Sequence, residues 1–540
     1  MTEPDRERTF RGLGVSGGVV IGPLFRLRNV AAASRAFTTV EEETRVFRDA
    51  VAKASAQLEA LIAAEDQLAG EILEFQLALL DDEEMLAPVH RAIAEETPCD
   101  AAWTATLDKE IAEYRKGGDD TLSARADDLA DLRDRVLRAI HGAALADTPI
   151  PDGAVVLADD LTPSSFLDLD WDRIGGAATI GGSPVSHVSI LARARGVNFL
   201  VGLKAGPEEL GDGETVILDA AQGMLTVAPG RDTLDDARQR IDAAAQERKT
   251  MDALLPRPAT TADGEPVKIL VNIDDPGRLD SIVPAHCDGV GLTRTEFLFT
   301  DDRLPDEEAQ YRFYRRLMEW AEGRPVTIRT LDAGGDKPIA GITREGEANP
   351  FMGLRGIRLS LANPETFRIQ LRALARAAAA GPLNVMVPMV TVPGELDRAR
   401  ELMRAEVADL TAAGTPCALP RMGIMVEVPA AALNAASFDA DFYSVGSNDL
   451  VQYVTACGRD SGDLAALADP LNPAVLELIR RTVEAAKARG ADVSLCGDMA
   501  STPRYIGPLL DTGLRALSCA PAQIGPVKLA VSRYANNSGD

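Results

Sequence analysis

In the second half of the chain, short β-type runs recur, each followed by a helical stretch. They read KILVNID (268–274), GVGLTR (289–294), VTIRTLD (326–332), NVMVPMV (384–390), MGIMVEV (422–428), FYSVGSN (442–448), DVSLCGD (492–498) and RALSC (515–519). Eight such runs alternating with helices are the arithmetic of a (β/α)8 barrel. In that fold the chemistry sits at the C-terminal ends of the strands, so the search for a site narrows to the residues found there.

The strand ends carry an unusual set. Arg294, Thr295 and Glu296 follow the second run, and the third holds Arg329 and leads into Asp332, Asp336 and Lys337. The next connection contains NPFMGLR, ending in Arg355. The fifth run carries Glu427, the sixth ends in Asn448 and Asp449 with Arg459 shortly after, and the seventh carries Cys496. Arginines and a lysine beside two carboxylates suit a small, highly charged anion together with a metal. Glu427 and Asp449 supply hard oxygen ligands in small number, which favours Mg²⁺. Cys496 is the thiol that this reading puts near the mouth, where it could move a proton to carbon.

A second feature lies upstream. In GGSPVSHVSILARARG (181–196), a Gly/Ser/Pro turn runs into a segment whose Ile190, Leu191 and Ala194 share one helix face. His187 therefore sits at a helix N-terminus, where unpaired backbone N–H groups and the helix dipole favour an anion. A phosphoryl group carried on His187 would be met by those amides, with Arg193 as a further cation. Ser186 and Ser189 are the candidates for holding the other ring nitrogen.

Between these features the pattern changes twice. Residues 10–28 read as a short strand-and-turn unit, and from about Val40 to His141 glycine is sparse and helical spacing dominates. Strand-like runs resume at 153–157, 174–180, 197–201, 214–219 and 223–227. Residues 231–255 are charged and alanine-rich, and read as one exposed helix ended by Pro256 and Pro258.

A chain of 540 residues exceeds a single core. Its net charge of -27, with no basic stripe, argues against nucleic acid as a partner. The six cysteines form no CxxC pair, which excludes a zinc ribbon, and Cys99, Cys417 and Cys519 read as core residues. The N-terminus MTEPDRERTF lacks the apolar segment of a signal peptide. No run of about 18 apolar residues offers a membrane span. The expected location is the cytoplasm.

GVGLTRTEFLF (289–299), RTLDAGGDKP (329–338), NPFMGLRGIR (349–358), GIMVEVPAA (423–431), YSVGSNDLVQY (443–453) and LCGDMA (495–500) occur in one order. Over nearly the whole chain the sequence resembles Enzyme I of the phosphoenolpyruvate-dependent sugar phosphotransferase system. The resemblance implies a multidomain α/β chain. Residues 1–34 with 145–230 would form a phosphohistidine α/β domain, and an inserted helical bundle at 35–144 would dock the small carrier HPr. A linker helix at 231–258 would follow, then a C-terminal TIM barrel at 259–540 that binds phosphoenolpyruvate and makes the homodimer.

It further implies that His187 takes the phosphoryl group and passes it to HPr or an HPr-like domain. Arg294, Arg329, Lys337, Arg355, Asn448 and Arg459 would bind substrate, Glu427 and Asp449 would hold Mg²⁺, and Cys496 would protonate the enolate to pyruvate. The halves would close for the first transfer and open for the second, hinged at the linking helix. Two differences from the family pattern stand out. Ser183-Pro184-Val185-Ser186 precedes the histidine where Gly-x-Thr-Ser is usual, and Asp498 stands where glutamate is usual. A phosphate dikinase or phosphoenolpyruvate synthase would need an ATP-binding domain, and the residues before Gly153 contain no glycine-rich nucleotide loop. A regulatory or dihydroxyacetone-kinase-associated relative is the other alternative.

Overall fold

A computed structural model describes residues 7–27, 35–64, 67–116, 120–142, 149–204, 210–299, 305–335, 339, 342–344, 346–458, 464 and 466–535. The chain forms two compact units, Met1–Ala245 and Gln246–Asp540, each with its own sheet.

The first unit opens with β1 (Arg8–Arg11), β2 (Leu13–Ser16) and β3 (Val19–Arg26). Helices α1 (Val40–Ala64), α2 (Gln67–Leu80), α3 (Glu83–Ala94), α4 (Cys99–Lys116) and α5 (Asp120–His141) follow. The α/β pattern then resumes with β4 (Val155–Ala158), α6 (Pro163–Leu167), β5 (Gly176–Thr179) and α7 (His187–Arg195). It ends with β6 (Phe199–Val201), β7 (Thr215–Asp219) and β8 (Met224–Val227). The sheet order is β1-β8-β7-β3-β4-β5-β6-β2. Because β3 pairs with both β4 and β7, strands before and after the helices share one sheet. One apolar cluster joins the bundle to the α/β part: Phe47, Leu58, Trp103 and Leu107 belong to it with Phe166 and Leu191.

Helix α8 (Arg231–Leu254) stops two residues short of Pro256, since the residue before a proline is pushed out of the helical region. Its start is fastened within the first unit. The Glu7 carboxylate accepts from Gly230 N–H at 2.7 Å and from the Thr233 hydroxyl at 2.8 Å, and Arg240 pairs with Asp219 at 2.6 Å. Its end is fastened within the second. The buried Lys528 ammonium donates to Leu255 O and Arg257 O at 2.6 and 2.7 Å. Between these anchors, residues 242–246 are exposed.

In the second unit β9 (Ala259–Thr260) pairs with β10 (Pro266–Ile273) ahead of the barrel proper. The alternation then runs β11 (Val290–Thr293), α9 (Glu307–Trp320), β12 (Val326–Arg329), α10 (Ile357–Ala362), α11 (Pro364–Ala377), β13 (Leu383–Val387) and α12 (Pro393–Ala412). It continues β14 (Arg421–Val426), α13 (Pro429–Leu433), β15 (Phe442–Gly446), α14 (Ser447–Thr455), α15 (Pro473–Arg489) and β16 (Asp492–Cys496). It closes with α16 (Asp498–Ser501), α17 (Pro503–Asp511), β17 (Ala516–Cys519) and α18 (Ile524–Arg533). Strands β10 to β17 are parallel neighbours in sequence order, and the β10–β11 and β10–β17 pairings close the ring.

Strand periodicity decides what faces inward. Ile328, Ile424, Val426 and Leu495 join the large cluster between strands and helices. Their alternating neighbours Met425 and Cys496 join Leu292, Met386 and Phe442 in a separate small cluster. The buried residues one step further along the same face are Arg329 and Glu427. Cys99 and Cys519 are buried as expected, but Cys417 is only half-buried in the loop after α12. Among the described residues no helix is long and apolar enough to cross a membrane.

Ile424 is fully buried. Ile424→Ala is expected to lower barrel stability by about 2–5 kcal/mol in urea unfolding. Leu419→Ala, at a side chain 55% exposed, should stay within about 0.5 kcal/mol of the parent.

Candidate active site

One cavity at the barrel mouth is lined by Arg294, Arg329, Arg355, Glu427, Asn448, Asp449 and Cys496. Seven of the residues singled out from the sequence are thus brought together. Lys337 and Arg459 lie outside the described residues, and His187 belongs to the first unit.

The two buried arginines are held by carboxylates. Arg329, the last residue of β12, places Nη1 2.9 Å from Asp332 Oδ2 and donates from Nη2 to Glu296 Oε2 at 3.0 Å. Arg355 donates from Nε and Nη2 to the two oxygens of Asp332, both at 3.1 Å. Its Nη1 and Nη2 also reach Asp449 at 3.1 and 3.2 Å. Burial works against both charges. Glu296 and Asp332 for Arg329, and Asp332 and Asp449 for Arg355, overcome it and keep both guanidinium groups protonated. Arg294 sits at the rim, one-third exposed and 3.1 Å from Asp274.

Glu427 is buried, and its Oε1 accepts from Met389 N–H at 2.6 Å. Burial, then the negative charges of Asp449 and Asp332, push its carboxyl up to about 8, against the pull of Arg329 and Arg355. Two buried guanidinium groups here are set among four carboxylates, Glu296, Asp332, Glu427 and Asp449, with Arg294 at the rim. Among the described residues no cluster of three or more His, Cys, Asp or Glu side chains makes a closed metal cage. An open site with two protein carboxylates, completed by water and substrate oxygens, is how Mg²⁺ is usually held. The repulsion from Asp449 that helps push Glu427 up is what one divalent cation between them would relieve.

Cys496 is buried. Its thiol donates to Val445 O at 3.5 Å and accepts from the Ser444 hydroxyl at 3.6 Å. Burial pushes this thiol up, so it keeps a proton to give. Asn448 is clamped on Asp498, accepting its N–H at 2.9 Å and donating to its carboxylate at 3.2 Å. Gly497 between them has φ +102°, and a Cβ there would drive into Ser447 Oγ and Asn448 Oδ1. Asp498 is thus fixed as a partner of Asn448.

His187 begins α7 as the sequence indicates, but its surroundings differ from the expectation. Ser186 is the N-cap and accepts from Ser189 N–H at 3.3 Å, while the Ser189 hydroxyl donates to Ser183 O at 2.6 Å. Both serines are spent on the turn and the cap. Arg193 donates to Pro184 O, tying the loop rather than facing the ring. The ring is held instead through Nδ1, 3.3 Å from Asp128 Oδ1. Nε2 is the nitrogen that Asp128 does not engage. The hydrogen bond to Asp128 raises the His187 pKa, partly opposed by desolvation.

Asp128 is itself fixed by a charged face of α5. Three residues on, Asp131 accepts from Ser164 N–H at 3.0 Å and from Gln76 Nε2 at 2.9 Å. Seven on, Arg135 lies 3.6 Å from Asp168. Spacing of three and seven puts all three on one helix side, against α6 and the segment after it. Asp128 was missed in the sequence because an acidic residue on a helix normally belongs to a solvated face. Glu296 and Asp332 were visible beside the strand ends, but nothing local assigned them to the arginines.

Residues 248–536 match the family described as PEP-utilising enzyme, PEP-binding domain. Residues 11–125 match its N-terminal domain and 150–223 its mobile domain. The phosphoenolpyruvate-protein phosphotransferase of Bacillus sp. (strain S) is 35% identical, over 98% of this chain and 94% of that one. The protein of the same name from Streptomyces coelicolor is 37% identical, again over 98% and 94%. A solution structure of Enzyme I aligns with 27% identity and a TM-score of 0.36, covering 44% of this chain and 99% of that one.

Asp128 favours the imidazolium form of His187, so Asp128→Asn is expected to lower the His187 pKa, read by NMR titration of the ring. An unmoved titration would show that the carboxylate does not hold the ring. By linkage, the pair adds stability at acid pH and ceases to as pH rises through the raised folded value.

Proposed function

The chain belongs to the family of phosphoenolpyruvate-protein phosphotransferases, and on that premise we propose which of its groups carry out the transfer. It is an enzyme that takes the phosphoryl group from phosphoenolpyruvate into the phosphotransferase system. The observation that carries the assignment of groups is the convergence of two charge-locked arginines, two mutually repelling carboxylates and a protonated thiol on one barrel mouth.

Phosphoenolpyruvate binds there through Arg294, Arg329 and Arg355, with Lys337 and Arg459 as further cations and Asn448 donating to the phosphate. Arginine suits this work because its planar fork meets carboxylate and phosphate oxygens in pairs. Glu427 and Asp449 hold Mg²⁺, which when bound supplies neutralising charge for the phosphate and carboxylate oxygens of the substrate. Phosphoryl transfer asks for such positioning and neutralisation more than for covalent help.

His187 is the acceptor. Its neutral imidazole attacks phosphorus through Nε2, and the bond from phosphorus to the enol oxygen breaks. Asp128, bonded at Nδ1, fixes the tautomer and offsets the positive charge that develops on the ring. The departing enolate takes a proton at its methylene carbon from the Cys496 thiol and leaves as pyruvate, and water then restores the thiol. Phosphohistidine next passes its phosphoryl group to a histidine carrier, HPr or an HPr-like domain, which docks on the helices between β3 and β4. Donor site and acceptor lie in different units, so two encounters are needed, with α8 as their connection. We place the enzyme in the cytoplasm as a homodimer formed through the barrel, at the head of a sugar or regulatory relay.

Incubation with Mg²⁺ and phosphate-labelled phosphoenolpyruvate should give an acid-labile, base-stable label that is absent from His187→Ala. No label on the parent protein would overturn the reading. Adding candidate carriers one at a time identifies the one that removes the label. Cys496→Ala should cut steady-state pyruvate formation by about a hundredfold, with phosphoenolpyruvate binding retained in calorimetry. Unchanged turnover would remove Cys496 from the chemistry.

A further inference from the structure

Asp332 is buried at the end of the segment after β12, and it touches both mouth arginines. Its Oδ1 takes Arg355 Nε, and its Oδ2 takes Arg355 Nη2 and lies 2.9 Å from Arg329 Nη1. Its own N–H donates to Glu296 Oε1 at 3.0 Å, while Glu296 Oε2 accepts from Arg329 Nη2 at 3.0 Å. Arg329, Glu296 and Asp332 thus close a ring, and Arg355 is fastened to it by a two-bonded fork. The two guanidinium groups come from different elements, one from the end of β12 and the other from the connection before α10.

We infer that Asp332 is a positioning residue for phosphoenolpyruvate transfer, the anion that holds Arg329 and Arg355 together in the orientation in which they receive the substrate. The inference rests on the reading of the barrel mouth as the phosphoenolpyruvate site. Asp332 does not itself bind substrate, because a carboxylate on an anionic substrate repels it. Without Asp332, Arg329 keeps Glu296 and Arg355 keeps Asp449, but the one carboxylate bonded to both guanidinium groups is lost. With it, both are fixed before the substrate arrives, and no reorganisation is needed during the reaction. Glu296 plays the supporting part, holding the other terminal nitrogen of Arg329 and the backbone of Asp332 at once.

The test is a double-mutant cycle on the full-length chain. The initial rate of His187 labelling by phosphate-labelled phosphoenolpyruvate with Mg²⁺ is measured for the parent, Asp332→Asn, Arg355→Lys and the double variant. Thermal unfolding of each is followed alongside. Asp332→Asn is expected to slow labelling per unit of phosphoenolpyruvate by at least about thirtyfold, with a lowered unfolding midpoint that still lies above the assay temperature. In the Arg355→Lys background the same substitution should cost less than about threefold, because the group it acts through is already displaced. Additive losses, or labelling by Asp332→Asn at the parent rate, would overturn the inference while leaving the function reading intact. Absence of label on the parent protein would overturn both. If Asp332→Asn does not fold, Asp332→Glu with Arg355→Lys runs the same cycle with the charge kept and displaced. Non-additive losses support the inference there, and additive losses overturn it.

Discussion

A guanidinium group and a carboxylate are each costly to remove from water, by several kcal/mol per ion, and the cost is met only where geometry and hydrogen bonding are both good. The barrel mouth concentrates that difficulty. Arg329, Arg355, Asp332, Glu427 and Asp449 are all buried, and each is tolerable only because the others are present. This mutual dependence organises the rest of the second unit. The closed ring of parallel strands delivers charged residues to one end, and the period-two alternation keeps Ile424, Val426 and Leu495 on the apolar side of the same strands. A one-residue slip in any of these strands would exchange a core aliphatic for a charge or a thiol.

The first unit solves a smaller version of the same problem. His187 is half-buried beside a carboxylate that is itself buried, and that carboxylate belongs to a helix packed by charges as well as by apolar contacts. The α5 helix is therefore more than the edge of a bundle. Its register decides where Asp128 stands relative to the ring, and Asp131 at the N-terminus of α6 pins that register.

Much of this was legible in the sequence where the signal is local. All eight barrel strands lie where the β-type runs place them, with ends shifted by at most three residues, because each run is a short block of β-branched and apolar residues between breakers. The helix start at His187 was equally visible, since a Gly/Ser/Pro turn there gives way to the helical spacing of Ile190, Leu191 and Ala194, and Ser186 caps it. What failed was the partner of the histidine. Ser186 and Ser189 were nearest in sequence, but a capping serine has no hydroxyl to spare, and the true partner lies 59 residues away in another element. Arg193 misled for a similar reason. It follows His187 on the same helix, yet its fork closes on the Pro184 carbonyl. Asp332 and Glu296 show the limit from the other side: the residues were in view, but the sequence cannot reveal which charges meet once a barrel closes.

The bare stretch of α8 has a mechanical meaning. Residues 242–246 are exposed, so helix propensity weighs heavily in keeping them helical. Ala243, Ala244 and Ala245 are the best residues for that purpose, each about 1 kcal/mol better than glycine. Alanine at three consecutive exposed positions thus favours an unbroken helix there. Substitutions there change the helix propensity of α8 while leaving the buried residues of both cores untouched.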